Sequence, residues 1–331
     1  MNGQPISIWM AHHRKGDMNL LKNLTPEGTL ARSITRAASW QAYQTIRLLV
    51  DREHVSDAYC AYAYFRWVDD IVDAASGSSL ERSAFLERQK ALLDNCYQGE
   101  LTPNPTAEEK MLIQLVQHDH EKKSGLQIYL RNMMKVMEFD AERRGTLISE
   151  VELEEYTRCL ASAVTEAIHY FIGHGSYSPH NETRYLAVTG AHLVHMLRDA
   201  YEDLHVGYYN VPREVLEAAH IQPHDIQSKA YCEWVRSRVQ LARKYFNAGR
   251  EYIAQVENTR CRLAGCAYMA RFEWLLHTIE REAYVLRPEY SERKSLGTKC
   301  QMGLMALSSI INPISKHLIY QPEHSQIWRK R

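Results

Sequence analysis

Apolar residues recur every three to four positions from about residue 32 almost to the C-terminus, and no segment sustains the alternation of a half-buried strand. That period predicts helices over 32–50, 54–75, 79–98, 106–119, 123–144, 149–173, 181–205, 225–257, 259–287 and 295–318. Ser78 with Glu81 and Ser149 with Glu152 have the Ser-x-x-Glu spacing that satisfies free amides at a helix start, and each precedes an apolar-periodic run. The breaks fall where turn residues gather, at Gly77-Ser78-Ser79, Thr102-Pro103-Asn104-Pro105, 173–179 and 207–212. None is long enough for a domain linker and no repeat of fixed period appears, so the pattern predicts a single all-α bundle.

Composition narrows the function more than the fold. With 331 residues, 45% hydrophobic and 24% charged, the chain sits at globular averages and can fill a sizeable core. Lys plus Arg and Asp plus Glu both number 40, so no net charge holds the chain on nucleic acid and no such partner is expected. The seven cysteines are odd in number and scattered without a CxxC pair or a Cys/His block, which predicts reduced thiols in a cytoplasmic protein. The first thirty residues lack an apolar core behind a basic start, so no secretory signal is expected. No run of 18 apolar residues occurs, so no helix is expected to span a bilayer. Over 303–320, Leu304, Met305, Leu307, Ile310, Ile311, Ile314 and Leu318 keep helical spacing while Asn312, Pro313 and Lys316 interrupt it. A core-packing helix is expected there, with a membrane-surface helix as the alternative, and the basic end of the tail suits a weak contact with anionic lipid. There is no Gly-rich phosphate loop, no GxGxxG after a strand and no HExxH.

Chemistry enters through acidic residues set in apolar helices. In the first cluster, Asp69 and Asp73 are four apart and Asp70 and Asp73 three apart, so a helix puts these carboxylates on one side. Like charges at that spacing disfavour a bare helix, and Tyr62, Phe65, Trp67, Val68, Ile71 and Val72 leave little solvated face around them. A cavity holding Mg²⁺, shared with substrate phosphates, meets both constraints. The second cluster, Asp199 and Asp203 behind Arg198, follows the apolar run 185–197. Two facing pairs can hold several Mg²⁺ ions that neutralise a diphosphate and assist its departure to leave an allylic carbocation. Twenty tyrosines and six tryptophans can line an interior that shields such a cation. The plain alternative is two solvated helix faces with Arg66 and Arg198 as counter-ions.

These residues resemble the squalene/phytoene synthase family, whose members join two isoprenyl diphosphates head to head. Tyr62-x-x-x-Arg66-x-x-Asp69-Asp70-Ile71-Val72-Asp73 is similar to the first aspartate-rich motif of that family. Arg198-Asp199-x-x-Glu202-Asp203, with Gly207-Tyr208-Tyr209-Asn210-Val211-Pro212-Arg213-Glu214 downstream, is similar to the second. Weaker matches extend the resemblance over about 35–295: Ser39-Trp40, the helix bearing Tyr156, Ala161, Val164 and Glu166, and the stretch 271–284 that includes Phe272.

The resemblance implies an all-α isoprenoid-synthase bundle with a central cavity over 31–295, after an N-terminal extension at 1–30. A C-terminal amphipathic helix and tail at 296–331 would pack on the same domain. It implies three Mg²⁺ ions on Asp69, Asp73, Asp199 and Asp203, catalytic roles for Tyr62, Arg66 and Arg198, and substrate contacts from Ser39, Trp40, Tyr156, Val164 and Phe272; His195 as a catalytic residue and His192 as a substrate contact are expectations of this chain's own residues. The implied substrates are farnesyl or geranylgeranyl diphosphate, with peripheral membrane contact for product release. NADPH stays open, because the family binds it without a dinucleotide fingerprint.

Two departures stand out. Where the family commonly has Gln-x-x-Asn before the second Arg-Asp, this chain has His192 and His195, and a neutral imidazole suits Mg²⁺ poorly beside oxygen ligands. Three roles for His195 are consistent with this: it lies outside the metal shell, takes a proton from a cationic intermediate, or joins His192 and Asp199 around Zn²⁺ or Fe. Ser162 and Thr165 replace the small glycines of the pocket helix and leave the substrate length open. Head-to-head condensation is the leading function. Prenyl transfer to an aromatic acceptor or terpene cyclisation keeps the ionisation and changes its outcome, and a noncatalytic helical adaptor keeps only the fold.

Overall fold

The structure, a computed structural model, describes residues 25–74, 78–100, 102–291 and 303; the helix predicted over 295–318 otherwise lies outside them, as does the tail. Eleven α-helices follow one another among the described residues. They are α1 (Pro26–Ala38), α2 (Trp40–Leu49), α3 (Val55–Asp73), α4 (Ser79–Gln98), α5 (Ala107–His118) and α6 (Gly125–Arg143), then α7 (Glu150–Phe171), α8 (Leu186–Val206), α9 (Arg213–Ala219), α10 (Lys229–Ala254) and α11 (Thr259–Arg281). Short 3₁₀ turns, Arg52–His54 and Glu182–Tyr185, lead into α3 and α8. There is no β-strand among the described residues, only an isolated bridge between Leu147 and Tyr209.

Capping fixes most of the boundaries. Reciprocal capping boxes start α4 at Ser78 and Glu81 and α7 at Ser149 and Glu152, as the spacing predicts, and a third starts α5 at Thr106 and Glu109. The run predicted as one helix over 32–50 is two. Ser39 is extended (φ −147°, ψ 102°) and its hydroxyl accepts the amide of Ala42 at 3.2 Å, which ends one helix and begins the next. α1 also starts earlier than the periodicity suggests, inside the segment assigned to an N-terminal extension. Thr25 caps it, Pro26 fits its first turn, and Thr25 Oγ1 donates to Gln114 Oε1 at 2.7 Å. A Cβ on Gly28 would stand 2.1 Å from Ser56 Oγ, so glycine is what lets α1 lie close against α3.

Six helices close a ring. α3 packs on α6, α6 on α7, α7 on α8, α8 on α11, α11 on α2, and α2 back on α3. α3 turns Cys60, Ala63, Tyr64 and Val68 into the core, leaving Asp69 on another face. The space inside the ring is therefore bounded on opposite sides by the two aspartate-bearing helices. No described helix is long and apolar enough to cross a membrane.

Candidate active site

Asp69 and Asp73 from α3 and Asp199 and Asp203 from α8 line one cavity of about 200 Å³. Asp140 and Arg143 of α6, Tyr156 of α7, His192, His195 and Met196 of α8, and Tyr208 and Asn210 beyond α8 complete its wall. The two motifs, far apart in sequence, thus face a common space, as the aspartate-rich pattern requires.

The loop after α8 closes that space because Gly207 takes a left-handed conformation (φ +91°) and Tyr208 N bonds to Asp203 O at 2.7 Å. The chain doubles back, and Gly145 N donates to Gly207 O at 2.8 Å to fix the loop against the α6–α7 connection. Tyr208 Oη then donates to Asp73 Oδ1 at 2.8 Å. Asn210 Nδ2 donates to Asp203 Oδ2, while Asn210 Oδ1 accepts Arg143 Nη1 at 2.8 Å. Arg143 Nε donates to Asp140 Oδ1 at 2.8 Å, and Tyr156 Oη donates to Asp140 Oδ2 at 3.1 Å. The Arg143 guanidinium also lies 4.6 Å from the Tyr208 ring centroid and 5.1 Å from that of Tyr156.

Asp140 and Arg143 were not singled out by the sequence pattern. The available signal was Asp140 on the apolar stripe of α6, one turn from buried Val136 and Met137. A carboxylate there must find a buried partner, and Arg143 supplies it.

Electrostatics separates the four aspartates. Burial and the neighbouring Asp73 push Asp69 up to about 6, and burial and Asp199 push Asp203 up to about 7. Burial would raise Asp199 as well, but hydrogen bonds from His195 and Arg198 hold it well below the usual carboxylate range. Arg198 grips both its oxygens, and His195 Nε2 lies 3.0 Å from Oδ2. Arg66 pairs with Asp69 at 3.3 Å and with outward-facing Asp70. The negative potential left at Asp69 and Asp203 is of the kind a divalent cation relieves. Their hard oxygens suit Mg²⁺, which keeps waters and takes one or two carboxylates beside substrate phosphates. Asp199 must exchange Arg198 before it can join them. Among the described residues no three His, Cys, Asp or Glu side chains, the aspartates included, are grouped closely enough to hold a metal ion by themselves, so His192, His195 and Asp199 form no trio for Zn²⁺ or Fe, and Mg²⁺ at the aspartates would need substrate phosphates and water to complete its shell.

The histidines differ from each other. His195 is 47% accessible yet faces a cavity with protein on most sides; burial and Arg198 lower its pKa against the pull of Asp199. His192 is 5% exposed, lies edge-on to Tyr156 at 5.1 Å, and has no hydrogen-bond partner on either ring nitrogen. Burial, with His195 and Arg143 nearby, lowers it to about 3 and keeps it neutral.

The remaining expected residues scatter around this centre. An aromatic series leads from His195 to Phe272 at 6.3 Å and on to Tyr268 at 5.3 Å. Val164 shares a helix face with Tyr156, eight residues or about 12 Å further along α7, outside the aspartate cavity. Tyr62 stands about two turns before Asp69 on α3. Ser39 and Trp40 are not in the cavity wall: Ser39 caps α2, and Trp40 is 57% exposed with its ring stacked on Tyr43 at 5.3 Å.

Comparison with known proteins agrees with this geometry. Residues 35–296 match the family model described as squalene/phytoene synthase. The presqualene diphosphate synthase of Zymomonas mobilis subsp. mobilis is 28% identical over 197 residues, which are 59% of this chain and 63% of that protein. The chain thus matches less than two thirds of that relative's length. A dehydrosqualene synthase structure is similar with a TM-score of 0.67 at 16% identity, covering 89% of this chain and 98% of that one. A squalene synthase structure from Alicyclobacillus acidocaldarius gives 0.63 at 20% identity, covering 82% and 97%. The likeness of fold, the matched span and the paired aspartates around one cavity agree: this chain belongs to the squalene/phytoene synthase family.

Proposed function

We propose that this protein is a prenyltransferase that condenses two isoprenyl diphosphates head to head. The observation that carries this reading is the meeting of Asp69, Asp73, Asp199 and Asp203, from opposed helices, in one cavity. Asp69, Asp73 and Asp203 would hold Mg²⁺, with Asp199 joining once Arg198 turns to substrate. Bound Mg²⁺ supplies charge neutralisation to the diphosphate leaving group.

The chain's own side chains supply the rest. Arg66 and Arg198 donate hydrogen bonds to diphosphate oxygens, and exchanging a carboxylate for a phosphate partner leaves both cations satisfied. Tyr208, Asn210, Arg143, Asp140 and Tyr156 fix the aspartates in position. Tyr62, Phe272 and Tyr268 offer ring faces to the prenyl chain, exclude water and stabilise positive charge on carbon. The test is incubation of purified protein with farnesyl or geranylgeranyl diphosphate and Mg²⁺. Pyrophosphate release with a C30 or C40 product supports the reading, and no release from any prenyl diphosphate favours the noncatalytic adaptor.

His192 supports a second reading. A hydrocarbon chain offers nothing to two unpartnered ring nitrogens, whereas an aromatic acceptor with a hydroxyl or N–H can bond to them. Pyrophosphate release without a C30 or C40 product, together with an alkylated aromatic, would favour this alternative.

A further inference from the structure

Along α8, Val188, His192, His195 and Asp199 stand at i, i+4, i+7 and i+11, and along α11, Cys261, Gly265, Tyr268 and Phe272 keep the same spacing. Each set shares one helix face. α8 packs on α11, and the rings of His195 and Phe272 lie 6.3 Å apart, so the two stripes face each other. At one end His192, His195 and Asp199 line the aspartate cavity. At the other, Val188, Cys261 and Gly265 line a second, apolar cleft together with Ile168 of α7 and Ile253 of α10. Tyr268 lines this cleft too, and its ring is 5.3 Å from that of Phe272, so Tyr268 stands between the two spaces.

With Tyr268 in place the cleft offers about 30 Å³, room for little more than water. The polar groups around it mostly satisfy one another: His169 Nε2 lies 2.9 Å from Tyr252 Oη, which accepts Arg184 Nη1 at 2.8 Å. Thr165 Oγ1, buried without a partner, is the one exception in the cleft wall. Gly265 keeps the cleft open from the α11 side, since a Cβ there would stand 2.7 Å from Ile253 Cδ1.

We propose that Tyr268 sets the length of the prenyl chain, stopping a farnesyl chain at its ring and keeping a geranylgeranyl chain out of the cleft beyond. This rests on the condensation reading and names its substrate, two C15 diphosphates giving a C30 product. Four helical rises separate Asp199 from His195 and four more separate Phe272 from Tyr268, a depth of about 12 Å. At tetrahedral carbon geometry the twelve-carbon backbone of farnesyl extends to about 14 Å and the sixteen-carbon backbone of geranylgeranyl to about 19 Å. A slightly bent farnesyl chain ends at Tyr268, whereas the last isoprene unit of the longer chain needs the space behind it.

The test is calorimetric binding, with Mg²⁺, of farnesyl and geranylgeranyl S-thiolodiphosphates, whose sulfur link resists ionisation, so that binding is read without turnover. Wild type should prefer the farnesyl analogue at least tenfold. Tyr268→Ala should shift that ratio at least tenfold towards the longer analogue, and Tyr268→Leu should shift it the same way if the alanine variant does not fold. Gly265→Ala alone should keep the wild-type ratio, but added to either Tyr268 variant it should restore the preference for farnesyl, because its methyl group fills the cleft. Wild type that binds neither analogue or both equally, a ratio unmoved by the Tyr268 variants, or a double variant indistinguishable from its Tyr268 parent would overturn the proposal. Wild type that prefers the farnesyl analogue yet releases no pyrophosphate from either natural diphosphate would leave the length determinant standing and remove the condensation reading instead.

Discussion

Tyr208 Oη donates to Asp73 Oδ1 at 2.8 Å, so the loop that follows the second aspartate motif holds the first one in place across 135 residues of sequence. Asp73 is thus oriented by the loop as well as by its own helix. Tyr208→Phe removes this one donor while keeping the ring over Arg143. A stability loss of about 1 kcal/mol is expected in urea denaturation, and a several-fold rise in the Mg²⁺ concentration that half-saturates pyrophosphate release. An unchanged Mg²⁺ requirement would mean that Asp73 does not depend on the loop for its orientation.

Asp69→Ala and Asp203→Ala remove the two carboxylates whose charge is least compensated in the ligand-free protein. Each should lower the rate of pyrophosphate release at least ~10²-fold, since a metal at a developing charge is worth several kcal/mol. Circular dichroism should show retained helix content. Full activity in either variant would take the metal site away from these helices.

Much of this arrangement was legible in the sequence, and what was missed has physical causes. The Asp69–Asp73 and Asp199–Asp203 spacings are helix-local, so a period of 3.6 exposes them directly. The start of α1 was also written locally, as Thr25 before Pro26, but its residues have a weak apolar period and depend on α3 and α5 for burial. Asp140 is different in kind. Nothing near it in sequence says that Tyr156 and Asn210, by way of Arg143, will converge on it; that follows only from closure of the helix ring. Ser39-Trp40 is a local resemblance of another sort: Ser39 caps a helix and Trp40 is outward, so its position relative to the aspartate cavity also depends on how the helices close.

Asp140→Ala tests the buried network as a unit. It strips Arg143 of its carboxylate while leaving the guanidinium buried, a change that costs about 3–5 kcal/mol when no other partner compensates. Because Asn210 remains, the lower end of that range is expected in urea denaturation. Adding Arg143→Met should restore part of the loss, and the double variant should still lose activity because Asn210 loses the Arg143 donor that fixes it beside Asp203. If Asp140→Ala unfolds no more easily than wild type, the network carries no strength.

The acid limit of stability provides the final test, away from the cavity. His169 sits between Tyr252 Oη, 2.9 Å from Nε2, and Cys261 Sγ, 3.6 Å from Nδ1, and burial together with Arg184 lowers it to about 4. Below its ordinary value of 6.5 the unfolded chain takes up a proton that the folded protein refuses, so unfolding gains ground as pH falls. The stability contributed by neutral His169 is therefore complete above pH 6.5 and is lost progressively as pH falls towards about 4. His169→Gln keeps a hydrogen-bonding side chain without a titrating proton. Its unfolding free energy should fall less steeply between pH 6.5 and 4 than that of wild type, even if it starts lower. Parallel slopes for the two proteins would mean that His169 is protonated in the folded state, and that Arg184, held by Glu166 at 2.7 Å, does not keep it neutral.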